Sequence, residues 1–261
     1  MTRRAEAQVG GQVLRVRLRA VAYWLVKAVI SPLLRFFFRV RVEGLEHIPA
    51  DSAAILASNH VSFCDSIFLP MVLRRRVTFV AKAEYFEDPK TAWFFRAVGQ
   101  IPIRREGGSA SAGALLAATE VLQSGGLFGI YPEGTRSPDG RLYKGHTGVA
   151  RLALSCGVPI LPVAMIGTRE AQPIGQVMPR LFMPITVKIG KPMRFDRIEG
   201  AADDPRALRQ ITDEVMFELS GMSAQDYVDR YAKRKVEDGP ETAHIASLPP
   251  VTDDRALVAT G

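Results

Sequence analysis

His60 and Asp65 are the two side chains of this sequence best suited to moving a proton, and they lie in the stretch 58–65 (SNHVSFCD). A histidine held by a carboxylate at one ring nitrogen can use the other nitrogen as a general base. Residues five apart on a continuous helix point about 140° away from each other, so this hydrogen bond requires a turn. We therefore expect His60 in a strand-to-helix connection, Asp65 in the first helical turn, and Ser62 as the N-cap.

A His–Asp pair has an ordinary structural alternative. Taken alone, it is more often a buried polar link between a loop and a helix than a catalytic dyad. Cys64 lies close enough to His60 to be considered as a nucleophile. A small, buried free thiol is the commoner role of such a cysteine, so other motifs must decide what this stretch does.

Two further polar clusters follow extended apolar segments, at 99–105 (GQIPIRR) and at 131–137 (YPEGTRS). Guanidinium groups suit a phosphate, a glycine lets the backbone approach a ligand closely, and a glutamate can orient an arginine or a substrate hydroxyl. Each cluster alone is also compatible with turn formation or solvated surface charge. The candidates for holding a phosphate or an acceptor are Arg105, Glu133, Gly134, Thr135 and Arg136; weaker candidates are Asn59, Lys82, Arg104 and Lys144.

Strand-like and helix-like segments alternate along the chain. Extended segments are predicted at 40–44, 53–58, 77–81, 101–103, 127–131, 159–166 and 185–189, and helices at 66–73, 91–98, 109–123, 148–156 and 206–219. Strands that are almost continuously apolar predict an α/β fold with a mixed, mostly parallel sheet covered by helices. Ligand sites of such sheets gather at the carboxyl ends of strands, where the polar clusters lie.

The positive charge is concentrated at the N-terminus. The net charge is +7, but residues 1–41 contain nine Lys or Arg and a single acid, Glu6, so the remainder is nearly neutral. A near-neutral body without a basic, aromatic-interleaved surface disfavours nucleic acid as a partner. The two cysteines are too few for a disulfide framework, and no metal-ligand spacing is present.

The basic segment is also lipophilic. Apolar residues recur at helical spacing from Leu14 to Val29, Pro32 is expected to close or kink that helix, and a second apolar block with arginines occupies 33–39. Charges and Pro32 interrupt the run too early for a spanning helix. We expect two amphipathic helices, within residues 13–39, that lie on an anionic membrane surface. The alternative is a helix that covers the core of the domain itself.

These patterns predict three parts. Residues 1–39 form the membrane-associating segment, and residues 40–235 form a catalytic domain. The acidic, proline-containing stretch 236–261 is poor in large apolar residues and is expected to be a disordered tail.

Four motifs in order resemble the PlsC-type glycerolipid acyltransferase family, which includes the lysophosphatidic acid acyltransferases. The resemblance covers about residues 40–190 and is specific because four blocks occur together. The matching residues are Asn59, His60 and Asp65; Gly99, Ile101, Ile103 and Arg105; Pro132 to Ser137; and Val158 to Val163. Tyr131 stands where a phenylalanine is common, and Arg104 is an extra cation at a variable position.

The resemblance implies acyl transfer from acyl-CoA or acyl carrier protein to the sn-2 hydroxyl of 1-acyl-glycerol 3-phosphate, giving phosphatidic acid. His60 would act as the general base aligned by Asp65, and Arg105 and Arg136 would hold the acceptor phosphate. No metal or other cofactor is implied. The expected location is the cytoplasmic face of the cell membrane, as a peripheral or monotopic protein.

Two alternatives stay open from the sequence. The same chemistry can serve another acceptor, such as glycerol 3-phosphate, a different lysophospholipid or a glycolipid hydroxyl. A non-enzymatic basic membrane-binding protein would share the N-terminal pattern without using the dyad.

Overall fold

The computed structural model describes residue 21 and residues 23–103, 109–195 and 202–233. Within these ranges the strands are β1 (Arg39–Glu43), β2 (Ala54–Ser58), β3 (Val77–Thr78), β4 (Val80–Lys82), β5 (Ile101–Ile103), β6 (Leu127–Ile130), β7 (Leu142–Tyr143), β8 (Ile160–Ile166), β9 (Pro184–Ile189) and β10 (Tyr227–Val228). The helices are α1 (23–37), α2 (Asp65–Val72), α3 (Glu84–Glu87), α4 (Pro89–Ala97), α5 (Ser109–Gln123), α6 (Gly148–Cys156), α7 (Thr168–Ala171) and α8 (Pro205–Ser223).

A six-stranded sheet of order β1-β9-β8-β2-β6-β3 forms the centre of the fold. Neighbouring strands are parallel except β8 and β9, which are antiparallel. Side chains of β2 alternate between two apolar layers, one shared with α5, α6 and α8 and the other with α2. A strand with both faces covered must be apolar throughout, as β2 is. The predicted mixed, mostly parallel sheet covered by helices is confirmed.

The single strand predicted at 77–81 is wrong. The chain changes sheets at Phe79, so that β3 pairs with β6 in the main sheet while β4 pairs with β5 in a separate two-stranded sheet. Phe79 donates its backbone N–H to Oε1 of Gln100 at 2.6 Å instead of to a neighbouring strand. An apolar run carries no signal for such a change, because both halves remain buried.

Pro32 does not close the N-terminal helix, which continues as α1 to residue 37. Pro32 and Ala28 both lie on the exposed side, so the carbonyl group that loses its helical partner faces the surface instead of the core. Within the described residues, the second apolar block expected at 33–39 does not form a separate helix, because residues 33–37 belong to α1. The part of the predicted segment 13–39 that precedes residue 21 lies outside the described residues.

The buried side of α1 caps the C-terminus of α2. Lys27 donates from Nζ to the carbonyl groups of Leu73 and Pro70, the latter at 3.1 Å, and Ser31 donates to the carbonyl of Met71 at 2.9 Å. The last carbonyl groups of a helix have no partner within the helix and carry partial negative charge, so an ammonium group stabilises them. This contact fixes α1 against the element whose other end carries Asp65.

The C-terminal helix begins as its sequence predicts. Asp204 accepts the N–H of Arg206 at 2.9 Å, and Pro205 occupies the first helical position. The tail predicted at 236–261 lies outside the described residues, and the proposed limits of the three parts stay predictions.

Candidate active site

The parallel pairing of β2 with β6 brings the first and third polar clusters together. These strands are direct neighbours, so their carboxyl ends lie at the same edge of the sheet. His60 follows the end of β2 by two residues, and Glu133 follows the end of β6 by three. A contact between residues 73 positions apart in the chain results from this pairing.

His60 and Asp65 form the predicted hydrogen bond across a turn. Nδ1 of His60 lies 3.0 Å from Oδ2 of Asp65, and both side chains are buried. The same oxygen accepts the backbone N–H groups of Val61 and Ser62, each at 2.8 Å. A carboxylate that faces Nδ1 can fix the orientation of the imidazole and leave Nε2 as the nitrogen available to a substrate. This geometry is the one that the proposed general base requires.

The predicted N-cap at Ser62 is wrong, because α2 begins at Asp65 and its N-cap residue is Cys64. Ser62 instead accepts the N–H of Cys64 and donates its hydroxyl to the carbonyl of Gln172 at 2.9 Å. The carboxylate of Asp65 takes the backbone N–H groups that precede the helix. One side chain therefore both closes the turn and holds His60.

Tyr131 covers one face of the His60 ring. The two ring centroids are 3.9 Å apart with an interplanar angle of 12°, and Phe79 stacks on the other side of Tyr131. The Tyr131 hydroxyl is 3.0 Å from Oγ of Ser66. Burial raises the pKa of this hydroxyl, as does the nearby charge of Asp65, so the phenol stays neutral. In the family motif, Tyr131 stood out only because it replaces a phenylalanine, but in the structure its ring fixes the plane of the His60 imidazole.

The loop 132–137 holds the peptide groups of His60 from both sides. Oε1 of Glu133 accepts the His60 N–H at 3.1 Å, and Ser137 donates its N–H to the His60 carbonyl at 2.7 Å. Oε2 of Glu133 accepts the N–H of Tyr143 at 2.9 Å. Burial raises the pKa of Glu133 to about 8, and the two N–H groups oppose this shift in part. Glu133 therefore positions the backbone of the dyad.

The remaining residues of this loop stand next to the dyad. Gly134 has a φ of 72°, which favours glycine, and its N–H bonds to the carbonyl of Tyr131. Thr135 and Arg136 are half-buried, and Arg136 immediately precedes the residue that bonds to His60.

The cations of the second cluster are only partly located. Arg104 and Arg105 lie outside the described residues, as does the side chain of Lys82. The backbone of Lys82 pairs with Ile103, the last residue of β5, so the cluster begins at the end of the β4–β5 sheet.

Two weaker candidates hold the fold together. The side-chain amide of Asn59 accepts the N–H of Met165 at 2.7 Å and donates to its carbonyl at 3.0 Å, which continues the pairing of β2 with β8. Lys144 forms an ion pair with Asp229 at 2.8 Å beside β10. Both contacts are structural.

Cys64 is a packing residue in this arrangement. Its thiol donates to Oε1 of Gln172, and burial raises its pKa to about 12, with the charge of Asp65 acting in the same direction. A thiol with such a pKa stays protonated and is a poor nucleophile.

Two contributors to the site were missed. Gly129, in the middle of β6, leaves room for Phe79, because a Cβ there would come within 2.1 Å of that ring. An isolated glycine in an apolar strand is a recognisable signal of close packing. Gln225 joins Asn59, at 2.6 Å, to the carbonyl of Gly140, also at 2.6 Å, and nothing in its local sequence indicates this.

Residues 39–166 match the family model described as Acyltransferase. The chain also resembles a crystal structure described as the 1-acyl-sn-glycerophosphate (LPA) acyltransferase, PlsC, from Thermotoga maritima. The two are 28% identical, with a TM-score of 0.60 over 83% of this chain and 90% of the other. The chain thus contains an Acyltransferase domain, at residues 39–166, and is similar in sequence and fold to a PlsC acyltransferase.

Several curated relatives of this acyltransferase domain are named as 1-acyl-sn-glycerol-3-phosphate acyltransferases. The chloroplastic 1-acyl-sn-glycerol-3-phosphate acyltransferase LPAT1 of Arabidopsis thaliana is 29% identical over 190 residues, which is 72% of this chain and 53% of the relative. A 1-acyl-sn-glycerol-3-phosphate acyltransferase of Limnanthes douglasii is 34% identical over 158 residues, which is 60% of this chain and 55% of the relative. The chain thus spans about half the length of the curated relatives it matches.

Proposed function

We propose that this protein transfers a fatty acyl group from a thioester to the sn-2 hydroxyl of 1-acyl-glycerol 3-phosphate and so forms phosphatidic acid. The observation that carries the proposal is the buried His60–Asp65 pair at the edge of the sheet, in which the loop 132–137 holds the peptide groups of His60. The names of the relatives support lysophosphatidic acid as the acceptor. The donor is acyl-CoA or acyl carrier protein.

The chemistry requires a base because an alcohol is a poor nucleophile until it loses its proton. Nε2 of His60 takes the proton of the acceptor hydroxyl while that oxygen attacks the thioester carbonyl carbon. The tetrahedral intermediate then collapses, the bond between carbon and sulfur breaks, and His60 returns the proton to the departing thiolate. Asp65 holds the imidazole in the required tautomer and stabilises the imidazolium between these steps.

The acceptor phosphate is assigned to Arg136, together with Arg105. Arg136 is tied to the dyad through the neighbouring Ser137, so a phosphate bound there brings the acceptor hydroxyl towards His60. Thr135 and the backbone at Gly134 are suited to add further polar contacts.

The protein is proposed to act at the cytoplasmic surface of a membrane. None of the helices in the described part of the chain combines the length and the apolar content needed to cross a bilayer. Helix α1 and the nearby Val21 expose large apolar side chains: Val21, Trp24, Leu25, Val29, Leu33 and Phe36. Such a surface suits a helix that lies in the plane of the membrane interface.

The test is an acyl-transfer assay on the purified full chain with His60→Ala and Asp65→Asn variants. Loss of the general base is expected to lower kcat by about 10²–10⁴-fold. Arg136→Gln should instead raise KM for the phosphorylated acceptor, with exposed Arg206→Gln as the matched control. A His60→Ala variant that is folded, by circular dichroism, and as active as wild type would overturn the assignment.

The donor and the acceptor are decided in the same assay. Acyl-CoA and acyl carrier protein thioesters are each offered with lysophosphatidic acid, glycerol 3-phosphate, other lysophospholipids and a glycolipid, and products are identified by mass spectrometry. We expect phosphatidic acid as the main product. Vesicle binding without acyl transfer to any acceptor would instead favour a membrane-binding protein without enzymatic activity.

A further inference from the structure

The loop between α7 and β9 holds large apolar side chains in solvent. Val177, Met178, Leu181 and Phe182 have relative exposures between 48% and 87%. Contiguous apolar groups of this size are uncommon on the surface of a soluble protein and mark a site of contact. The sequence from 171 to 184 contains no acidic residue and one cation, Arg180.

Hydrogen bonds hold the backbone of this loop in place, so the fold itself directs these apolar side chains outward. The side-chain amide of Gln172 donates to the carbonyl groups of Gln176, at 3.1 Å, and Val177, at 3.0 Å. Arg180 donates its N–H to the carbonyl of Ala171 at 2.7 Å. These bonds hold the ends of the loop together while its apolar tip stays exposed.

Phe182 has a strained backbone conformation within this loop. Its φ of 63° lies in the left-handed region, which is unfavourable for a bulky residue. Its N–H donates to the carbonyl of Phe37 at 2.6 Å, so this backbone position is tied to the end of α1. The strained backbone does not bury the ring, which stays 59% exposed.

The loop continues the apolar face of α1. The ring centroids of Phe182 and Phe37 are 6.3 Å apart, and those of Phe37 and the exposed Phe36 are 5.1 Å apart. The apolar surface therefore passes from α1 through these rings to the loop. We call this combined surface, the exposed apolar residues of α1 plus 177–182, the apolar platform.

Positive charge borders the apolar platform. Arg35, Arg39 and Arg180 are all exposed, and the sequence from 21 to 42 contains no acidic residue. A positively bordered apolar surface is complementary to an anionic lipid leaflet, whose headgroups meet the arginines while its acyl chains receive the apolar groups.

We infer that the loop 177–182 is a second membrane-inserting element, which enters an anionic bilayer leaflet together with α1. The choice of a lipid surface as the partner of this loop rests on the proposed function. The loop ends beside a cavity of about 410 Å³ whose wall includes Met183 and Val61. Val61 directly follows His60 in the chain, so a leaflet held against the loop would lie next to a cavity whose wall includes the neighbour of His60.

The test compares binding of the full chain to vesicles of phosphatidylcholine with and without phosphatidylglycerol. The loop variant combines Met178→Ser with Phe182→Gly, and Phe217→Ser is the matched control. Phe217 is more exposed than either, and it belongs to α8 on the opposite face of the sheet. The loop variant should bind anionic vesicles at least about tenfold more weakly, and the control should bind as wild type does.

Thermal melting separates this role from a structural one. Glycine adopts a positive φ without strain, so the loop variant should keep the melting temperature of the wild type or exceed it. Insertion is read directly from an environment-sensitive dye on Met178→Cys, in a Cys156→Ser background, with dye on Phe217→Cys as the control. Vesicles should shield only the dye at 178 from a water-soluble quencher.

Three results would overturn the inference. The first is a loop variant that binds vesicles as well as the wild type does, and the second is a dye at 178 that stays accessible to the quencher when the protein is bound to vesicles. The third is a loop variant with a changed oligomeric state and unchanged vesicle binding, which would indicate a second copy of the chain as the partner. Acyl transfer to a short-chain acceptor that is monomeric in water should survive in the loop variant. If the wild type transfers no acyl group at all, the proposed function fails, but vesicle binding still decides the role of the loop.

Discussion

At the scale of single residues, the geometry around His60 depends on three neighbours with different tasks. Asp65 holds the imidazole at Nδ1, Tyr131 fixes the ring plane by stacking, and Glu133 fixes the backbone. General-base catalysis is sensitive to small displacements, so each neighbour matters without touching substrate. Glu133 differs from the others because its own charge is costly in its buried position.

The raised pKa of Glu133 predicts that the free energy of unfolding decreases as the pH rises. Its pKa is raised from 4.5 to about 8 in the folded chain, mainly by burial. Between these values the folded chain binds more protons than the unfolded chain, so the free energy of unfolding should decrease from pH 4.5 to 8. In urea unfolding across this range, the stability of the wild type relative to Glu133→Gln should fall with rising pH.

Glu218→Gln is the matched control for this measurement, because Glu218 is exposed on α8. Its difference from the wild type should stay flat over the same range. A flat difference for Glu133→Gln as well would show that Glu133 titrates at its ordinary pKa.

At the scale of elements, α2 joins the N-terminal helix to the dyad. Asp65 stands in its first turn, while Lys27 and Ser31 of α1 meet the carbonyl groups at its other end. A helix of eight residues is short and stiff, so the position of α1 and that of Asp65 are mechanically linked. Pro70 inside α2 supplies one of the carbonyl groups that Lys27 reaches.

Lys27→Met should destabilise the folded chain by about 1–3 kcal/mol, because the buried carbonyl groups of Pro70 and Leu73 lose their donor.

The pH dependence of stability should also change. Burial lowers the pKa of Lys27 in the folded chain from 10.5 to about 8. Between these values the unfolded chain binds more protons than the folded chain, so the stability of the wild type relative to Lys27→Met should rise from pH 8 to 10.5.

Chemical unfolding at several pH values measures both effects. Arg35→Met, at an exposed position of the same helix, is the control and should change stability by less than about 0.5 kcal/mol. Equal effects of the two substitutions would remove the capping role of Lys27.

At the scale of the whole molecule, positive charge and exposed apolar side chains are gathered on one side of the protein, which is the side we propose to face a membrane. The excess positive charge lies within residues 1–41, and α1 and the loop 177–182 lie next to each other. The rest of the chain is nearly neutral, so in the proposed membrane-bound state this one side sets the orientation on an anionic surface.

Binding of the full chain to anionic vesicles should weaken as salt rises from about 0.1 M to about 1 M, because the Debye length falls from about 10 Å to about 3 Å. Insertion of apolar side chains is not screened, so a residual fraction should stay bound at high salt. Co-sedimentation measures both quantities. Complete release at high salt would mean that the arginines act alone, and salt-independent binding would mean that they do not contribute.

The sequence alone determined the features that depend on short spacing. The separation of five positions from His60 to Asp65 required the turn that is observed, alternating apolar segments predicted the mostly parallel sheet, and four ordered blocks pointed to the family. These inferences succeed because the periods and turns of the backbone are local properties.

Only the tertiary structure decided which distant groups touch. Glu133 reaches the His60 backbone across 73 positions, Asn59 pairs with Met165 across 106, and Phe79 lies where the chain passes from one sheet to another. Such contacts follow from the order and packing of strands, which local patterns do not specify. The His60–Asp65 turn was therefore readable from the sequence, whereas the groups that hold it in place were not.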